Sequence, residues 1–442
     1  MTMLPQISAF MHTVLTTTTE ATAAALQYAK RPDRAKFTPS TLVQTFVFGW
    51  MADPKATVEQ LAQMAGRLGV EVSPQAIDQR FTQDTATLLQ QVLTASIQHV
   101  VSAEPVAIPI LQRFTSVRVH DSTTIGLPDA LTSTWSGCGN DTGRGTAGLK
   151  CGVQVDLLTG ALCGLDLVAG RASDQTLPVQ HAALPAGSLR LADLGFYDLN
   201  VFAAVDEAGA FWLSRLQSNS RLTLPGQPER TLLATLEALG PVTQWDGPVV
   251  VGKGGRLAAR LLARRVPQAI AEQRRRKLRA AAKDKGRAPA KAALALADWN
   301  VLITNVPVAL LSLEEAMVLM RLRWQIELLF KLWKSHGHLD EWRTANPARI
   351  LCEVYAKLLA LVLQQWMIVA SGWGDPERSL FKAAQVVRSY AAELASAFGE
   401  QAQFVTVLLA MARVLKLTAR MNKRRTTPTT AQRLCALTDG SG

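Results

Sequence analysis

Residues 320–334 read MRLRWQIELLFKLWK. The segment lacks Pro and Gly and consists of good helix formers, and Ser312 upstream has the pattern of a helix cap, so we predict one helix. At about 100° per residue, Arg323, Glu327 and Lys334 lie within roughly 40° of each other on its surface. Taken alone, this arrangement is typical of an ion-pair row on a solvated helix face, which contributes about 0.2–0.5 kcal/mol per pair.

The composition limits the class of protein. The chain has 442 residues, 48% of them hydrophobic, which is enough for two or three domains with large cores. A formal net charge of +12 predicts a polyanionic partner, either nucleic acid or an anionic membrane surface. The membrane is the weaker choice because Lys357, Gln364 and Gln365 interrupt the apolar residues 354–373, which favours a buried helix over a membrane span.

The N-terminus and the cysteines indicate a cytoplasmic protein. We find no basic region followed by an apolar core and a cleavage site, so no signal peptide is predicted. The five cysteines are an odd number without CxxC spacing. They therefore predict neither a disulfide scaffold nor a zinc site and are typical of a reducing compartment.

Residues 1–110 have the pattern of a helical domain. Residues 57–69 predict a helix with a capping box and a Gly stop, and Ser73 with Pro74 predicts the start of a second helix after a short turn. This order is typical of a helix-turn-helix, whose second helix can enter a major groove of DNA. The same pattern is common in helical bundles, so the interpretation depends on the charge of the chain.

From residue 116 the pattern changes to strands and helices in the order β-β-β-α-β-α-β. The second and third strands are joined by a hairpin turn at residues 158–160, and the first three strands are expected to be antiparallel, whereas the later crossovers force parallel pairing. We therefore predict an α/β fold with a mixed sheet. The predicted strands cover residues 116–123, 149–157, 161–168, 188–193 and 210–216, and the predicted helices cover residues 176–184 and 199–208.

Two of these strands end in an acid, Asp121 on the first and Asp193 on the fourth. If the two strands are neighbours, both carboxylates project from the carboxyl edge of the sheet, the usual place for a site in an open α/β sheet. Two carboxylates held together repel each other unless a cation lies between them, and hard oxygen ligands select Mg²⁺ or Mn²⁺. Alternatively, each is a turn or cap residue, as we interpret Asp156, Asp166 and Asp174.

The rest of the chain contains two further regions. Residues 217–311 combine strand-like segments with a basic run at residues 273–291 that is opposed only by Asp284. Such a run is favoured beside phosphates, although a solvated helix or a loop has the same composition. Residues 346–442 predict long apolar helices that close the core and contribute to dimerisation, followed by a basic tail.

Acids on the first and fourth strands, followed by a helix with a third acid, are similar to the layout of an RNase H-like catalytic core. The motifs resemble those of bacterial insertion-sequence DDE transposases of the Y-R-E-K branch, the insertion-sequence-four family that includes the transposon-five enzyme. Its signature is Tyr, two residues, Arg, three residues, Glu, six residues and Lys, a spacing that Arg323, Glu327 and Lys334 meet. Met320 occupies the tyrosine position, which is a departure from the family pattern.

Three further segments carry the resemblance. Asp121 lies in HDST and Asp193 in ADLGFYD, like the strands that bear the family's first two acids. The segment WNVLIT places Trp299 where the family has an aromatic residue that stacks on a flipped-out base.

The resemblance implies a division of the chain into five regions. Residues 1–110 are expected to bind the transposon end, residues 111–216 and 312–345 to form the two parts of the RNase H-like core, residues 217–311 to be a β-rich basic insertion, and residues 346–442 to form the helical C-terminal region.

The resemblance also implies the chemistry. Asp121, Asp193 and Glu327 would hold two Mg²⁺ or Mn²⁺ ions for phosphodiester hydrolysis and transesterification, and Arg323 and Lys334 would bind the flanking phosphates. The implied partners are double-stranded DNA, as terminal inverted repeats and target, and a second copy of the chain in a homodimer. The implied location is the bacterial cytoplasm at the nucleoid, without a membrane.

Two alternatives remain open at this point. A catalytically weak or inactive DNA-binding protein of transposase descent is mildly favoured by Met320, since the tyrosine hydroxyl would add one phosphate hydrogen bond, worth on the order of 1 kcal/mol. The intact set of three acids argues against it. A generic RNase H-like nuclease would need neither the basic insertion nor a DNA-reading N-terminal bundle.

Overall fold

The structure is a computed structural model that describes residues 3–28, 36–139, 145–284, 286–422, 428 and 430–439. A π-helical turn, Thr13–Thr18, joins the first two α-helices. The α-helices are α1 (Met3–His12), α2 (Thr19–Ala25), α3 (Pro39–Ala52), α4 (Val58–Arg67), α5 (Pro74–Asp78), α6 (Gln83–Ser96), α7 (Pro178–His181), α8 (Leu199–Glu207), α9 (Leu232–Ala238), α10 (Gln268–Asp284), α11 (Lys291–Leu296), α12 (Leu313–Leu319), α13 (Trp324–Ser335), α14 (Pro347–Ala370), α15 (Leu380–Ala397), α16 (Gln401–Thr418) and α17 (Thr430–Asp439).

The strands alternate with helices only in the middle of the chain, so the fold is mixed α/β, as predicted. They are β1 (Val117–Leu127), β2 (Ser136–Gly139), β3 (Gly145–Asp156), β4 (Leu162–Ala169), β5 (Leu189–Ala192), β6 (Phe211–Arg215), β7 (Arg221–Thr223), β8 (Arg230–Thr231), β9 (Gln244–Val251), β10 (Leu257–Arg265) and β11 (Trp299–Thr304).

The chain divides into two compact units. The division falls inside β1, after Asp121, and inside the segment 320–334, after Trp324. Unit 1 comprises Met1–Ala107, Ser122–Ala172 and Gln325–Thr427, and unit 2 comprises Ile108–Asp121, Ser173–Trp324 and Pro428–Gly442.

Unit 1 is built around α14. Asn346 caps this helix through its side chain, Pro347 occupies the first turn, and every residue from Ile350 to Val369 is buried. Helices α3, α6 and α15 pack against it. By length and composition α14 could cross a membrane, but its apolar window is completely buried within the fold. The prediction of a buried helix for this region is therefore confirmed.

The predicted helix-turn-helix is only partly formed. Helix α4 has the expected capping box between Thr57 and Gln60, and Ser73 caps α5. Helix α5, however, has only five residues, and its Asp78 pairs with Arg349 at a distance of 2.9 Å. The expected second helix is therefore a short helix of little more than one turn, paired through Asp78 with the N-terminal end of α14.

The strands of unit 1 centre on β3, which pairs with β2, with β4 and with β1. β3 and β4 are antiparallel, as predicted, and β2 was not predicted. Gly160 in their connecting turn has φ +76°, and the Trp373 ring packs where a Cβ would be. Gln365 donates to the Gly160 carbonyl at 3.0 Å, so this hairpin is held against the C-terminal part of α14.

The sheet of unit 2 starts with the predicted pair of neighbours. β1 and β5 are parallel, with Val117 opposite Leu189 and His120 opposite Ala192. β6 continues the sheet parallel to β5, and β11 pairs antiparallel with β6. The strands of residues 217–311 thus extend the same sheet in the order β1-β5-β6-β11-β10-β9-β7-β8, which the sequence did not predict.

Two predicted helices are wrong in their boundaries. The helix expected at residues 176–184 is a 3-10 turn, Asp174–Thr176, followed by the four-residue α7. Pro178 explains the break, since it disfavours helical geometry at Leu177, which is extended.

The second error concerns residues 320–334. The capping box of Ser312 and Glu315 belongs to α12, Met320–Arg323 forms a 3-10 turn, and α13 begins only at Trp324. Good helix formers accept either winding, and propensities of up to about 0.7 kcal/mol per residue do not choose between them.

The predicted basic tail is described only in part. Residues 423–427 and 429 lie outside the described residues, whereas residues 430–439 form α17 in unit 2, where Leu434 is buried.

Candidate active site

Asp121 and Asp193 extend from neighbouring parallel strands. The register pairs His120 with Ala192, so the next residue along each strand is an aspartate at the same carboxyl edge. Asp193 lies just after β5 and precedes a 3-10 turn, Leu194–Phe196. The side chains are 18% and 37% exposed, respectively, so both acids are accessible without being fully solvated.

The guanidinium of Arg323 lies between the two acids. Its Nη1 is 3.2 Å from Oδ2 of Asp121 and 3.7 Å from Oδ2 of Asp193, and the arginine side chain is only 13% exposed. Two adjacent carboxylates need a counter-charge, and the fold supplies one from the 3-10 turn. The arginine that the sequence grouped with Glu327 and Lys334 thus contacts the predicted acid pair directly.

A divalent cation fits this acid pair as a partial ligand set. Among the described residues, no group of three or more His, Cys, Asp and Glu side chains is placed to hold a metal ion. Oδ1 of Asp193, however, is buried and makes no hydrogen bond, and Nη1 of Arg215 on the neighbouring strand is 3.9 Å away. An unsatisfied carboxylate oxygen at the edge of a parallel sheet is the kind of donor that Mg²⁺ and Mn²⁺ prefer.

Glu327 and Lys334 lie on α13, in unit 1. They are seven residues apart and therefore share a helix face, and both are half-buried. Nζ of Lys334 donates to the carbonyl oxygen of Thr124 on β1 at 2.9 Å. The buried face of α13 consists of Ile326, Leu329, Phe330, Leu332 and Trp333.

His120, next to Asp121, is a neutral buried side chain. Burial lowers the pKa of His120 well below its usual value, and the charges of Arg190 and Arg118 lower it further. Arg190 is itself buried, with its pKa lowered to about 10 by desolvation, and Nη2 donates to Oε1 of Gln180 at 2.6 Å.

A cationic cavity of about 850 Å³ lies in unit 2. Trp299, Asn300 and Met320 contribute to its wall, and Met320 is 7% exposed. The cavity could not be predicted from the sequence because its charges come from four separate elements, β6, β10, α10 and the 3-10 turn Met320–Arg323. The arginines that line it are Arg215, Arg264, Arg265, Arg274 and Arg321.

Trp299 is largely buried in the wall of this cavity. It belongs to the hydrophobic core of unit 2 and is 7% exposed. Arg265 is its direct cross-strand partner, and the guanidinium carbon lies 4.6 Å from the indole centroid. One face of the ring is therefore already covered by a cation.

Residues 273–284 of the basic run lie in α10, whereas residues 286–290 are not helical. Arg274 donates to Oδ1 of Asn300 on β11 at 2.6 Å. Arg275 donates to Oδ1 of Asp298, the residue before β11, at 2.5 Å. These two bonds tie α10 to β11. Burial and the charge of Arg215 lower the pKa of Arg274. The remaining cations of the helix are exposed: Arg276, Lys277, Arg279 and Lys283.

Residues 112–363 match the sequence family described as transposase DDE domain, which is more than half of the chain. The chain is 26% identical over 367 residues to the transposase for insertion sequence element IS231F of Bacillus thuringiensis subsp. israelensis, with 78% of this chain and 76% of that protein covered. It is 23% identical over 338 residues to the transposase for insertion sequence element IS1151 of Clostridium perfringens, with 70% of each covered. The putative transposase InsL for insertion sequence element IS186A of Escherichia coli K12 is 27% identical over 229 residues, with 50% of this chain and 61% of that protein covered.

Proposed function

The chain belongs to the transposase DDE domain family, and from this premise we propose how its residues cut and join DNA. It is a transposase of an insertion sequence, an enzyme that cleaves DNA and transfers strands. We assign it a cut-and-paste reaction on the terminal inverted repeats of its element. One observation carries the assignment to specific residues: Arg323 lies within 3.2 and 3.7 Å of carboxylate oxygens on two adjacent parallel strands.

The proposed catalytic core is RNase H-like. Its support is the parallel pair β1 and β5, which brings Asp121 and Asp193 to one sheet edge. Within this proposal the core comprises residues 111–216 and 312–345, and residues 217–311 are an insertion in its sheet.

The family's activity depends on divalent metal ions. Asp121, Asp193 and Glu327 would hold them, as two Mg²⁺ or Mn²⁺ ions per active site. When bound, such ions activate the attacking oxygen and stabilise the charge on the leaving oxygen of the phosphodiester. Glu327, in the first turn of α13, would be the third carboxylate.

Arg323 and Lys334 bind the phosphates that flank the scissile bond. Arg323 offsets part of the charge of the acid pair in the free protein and can form two-pronged hydrogen bonds to a phosphate once the acids have other counter-charges. Lys334 exchanges the Thr124 carbonyl for a phosphate oxygen and acts as a point charge.

The DNA duplex is held by the cationic surface of residues 217–311. The four exposed cations of α10 bind backbone phosphates. Trp299 stacks on a flipped-out base from the side of the cavity, which requires that Arg265 move from the ring or that the base use the other face. Residues 1–110 recognise the transposon end.

The remaining assignments concern assembly and location. Residues 346–442 contribute to a homodimer, since two transposon ends must be held together for joint insertion. The protein acts in the bacterial cytoplasm on nucleoid DNA, and its partners are the terminal inverted repeats and the target duplex.

Substitution of each acid tests the assignment. Asp121→Ala, Asp193→Ala and Glu327→Gln should abolish Mg²⁺-dependent cleavage of an end-containing duplex while leaving binding of that duplex nearly unchanged, because the acids hold metal rather than DNA. Asp129→Ala and Glu237→Gln change exposed acids elsewhere and should cleave normally. Retained cleavage by any of the first three variants would remove that residue from the site.

A further inference from the structure

Arg215 and Arg264 lie on the same face of the sheet in unit 2. β11 runs between β6 and β10, and the register places Arg215 opposite Leu302 and Arg264 opposite Asn300. Leu302 and Asn300 are two residues apart on β11, so their side chains and those of their cross-strand partners project to one face. The two arginines therefore flank β11 on that face, on strands about 10 Å apart.

The 3-10 turn Met320–Arg323 adds a third cation to the same cavity. Arg321 lines the cavity and is exposed. The side chains of Arg215 and Arg264 are 56% and 45% exposed. Three guanidinium groups from three separate elements are thus accessible to a ligand that enters the cavity from solvent.

The positive charge of the cavity exceeds what its acids offset. Among the described residues that line it, Glu314 is the one acid beside five arginines, and it pairs with Arg264 at 3.4 Å. Because the Glu314 side chain is 58% exposed, this ion pair is weak. Arg215 has a second partner, Oδ1 of Asp193, at 3.9 Å. Burial lowers the pKa of Arg274, and the charge of Arg215 lowers it further, so the cations of the cavity repel each other.

Two other arginines of the cavity hold its wall together. Arg274 donates to Oδ1 of Asn300 at 2.6 Å and to the carbonyl oxygen of Trp299 at 3.0 Å. The guanidinium of Arg265 covers the Trp299 ring. The three accessible arginines therefore remain as the groups that can bind an anion without loss of these contacts.

The same cavity has an apolar wall. Leu194, Met317 and Val318 line it, and none of the three is fully buried. An inorganic anion gains nothing from such a surface, whereas a nucleotide joins a phosphate to a base with apolar faces. The volume of about 850 Å³ lies within the range of about 300–1,000 Å³ that is typical of ligand pockets. Charge, apolar surface and size together fit a nucleotide.

We propose that this cavity binds a nucleotide, with the phosphate between Arg215, Arg264 and Arg321 and the base against the apolar wall. A guanidinium suits a phosphate because it can donate two parallel hydrogen bonds. The nucleotide belongs to a single strand of DNA or is free in solution. The site deepens the proposed function, on which the DNA source rests, and it uses neither the Trp299 ring nor a metal ion.

Binding in the absence of divalent metal tests the site. The probes are a free deoxynucleoside triphosphate of 2-aminopurine and a short single-stranded oligonucleotide that contains 2-aminopurine, both followed by fluorescence. Arg264→Met and Arg321→Met should each weaken binding about tenfold or more, the size expected for a lost hydrogen bond between charged groups. Arg264→Lys should lose less, since it keeps the charge but not the planar fork. The control is Arg171→Met, an exposed arginine that does not line the cavity, which should bind like the wild type.

Glu314→Gln should have the opposite effect. It removes the carboxylate that competes for Arg264 and repels a phosphate, so binding should tighten by up to about fivefold. Damage to the fold would not raise the affinity. Should a methionine variant fail to fold, this measurement decides in its place: a gain supports the site, and no gain overturns it.

The two probes distinguish the sources of the nucleotide. Binding of the free triphosphate through Arg264 and Arg321 would identify a free nucleotide, and binding of the oligonucleotide alone would identify a DNA strand. An abasic oligonucleotide of the same length should bind more weakly. Equal binding of the abasic strand would overturn the assignment of a nucleotide, because the base would then contribute nothing.

The outcomes also separate the site from the proposed function. If Arg264→Met and Arg321→Met bind both probes as tightly as the wild type, the site is overturned, whether or not the chain cleaves transposon ends. If the wild type does not cleave transposon ends, the proposed function fails. Weaker nucleotide binding by the two methionine variants would still support the site in that case.

Discussion

Arg323 and Lys334 belong to one sequence signature, but the structure holds them by different partners. Arg323, in a 3-10 turn of unit 2, contacts two carboxylates. Lys334, in the last turn of α13 in unit 1, donates to a backbone carbonyl. Arg323 therefore offsets part of the negative charge of the acid pair. Lys334, by contrast, can leave the Thr124 carbonyl without leaving a carboxylate unpaired. Their removal should have effects of different size and kind.

The largest effect is expected for Arg323→Ala. The substitution leaves Asp121 and Asp193 without their shared cation and removes a phosphate contact, so cleavage should fall on the order of a hundredfold or more. Binding of cleaved ends should weaken, and its dependence on salt should become less steep. Binding measured across a range of salt concentrations checks this. An unchanged slope would show that the arginine is only structural.

A smaller loss is expected for Lys334→Met. The variant keeps a side chain of similar length but removes the charge. The slope of log binding constant against log salt concentration should therefore decrease by the contribution of about one phosphate contact. Lys334→Arg retains the charge and serves as the control. Equal losses for both variants would indicate that the exact length of the lysine, and not its charge, is what matters.

Met320→Tyr tests the departure from the family signature. Met320 lines the cationic cavity, so a phenol could direct its hydroxyl into it, and one added phosphate hydrogen bond of about 1 kcal/mol would tighten binding of cleaved ends about fivefold. Met320→Phe adds the ring without the hydroxyl and is the matched control. Comparable gains in the two variants would exclude the hydrogen bond as the cause.

The smallest effect concerns acid stability after α13. Lys55 and His338 bind Glu341 at 2.8 and 2.7 Å and lower the pKa of its carboxyl from 4.5 to about 2. Because the folded pKa is depressed, the stabilisation is complete above pH 4.5 and is lost as pH falls towards about 2. Glu341→Gln should therefore melt slightly below the wild type near neutral pH, and the difference should shrink in acid. A difference that grows in acid would contradict the assignment.

Sequence patterning correctly predicted that two strands are neighbours and that each is followed or ended by an aspartate at the same edge of the sheet. Crossovers between strands force parallel pairing, and β1 and β5 are paired with Asp121 and Asp193 next to each other. Buried helix α14 and the capping box of α4 were likewise predictable, since apolar runs and caps are local signals. Local signals did not show that Met320–Arg323 winds as a 3-10 turn, because helix propensity accepts both windings.

The sequence by itself determined the acids, the basic signature residues and the spacing between them, because these are properties of residue type and order. Only the tertiary structure placed Arg323 on the acid pair and gathered arginines from separate elements into one cavity. The physical reason is that such contacts join residues far apart in the chain, and side-chain packing, not local propensity, selects them.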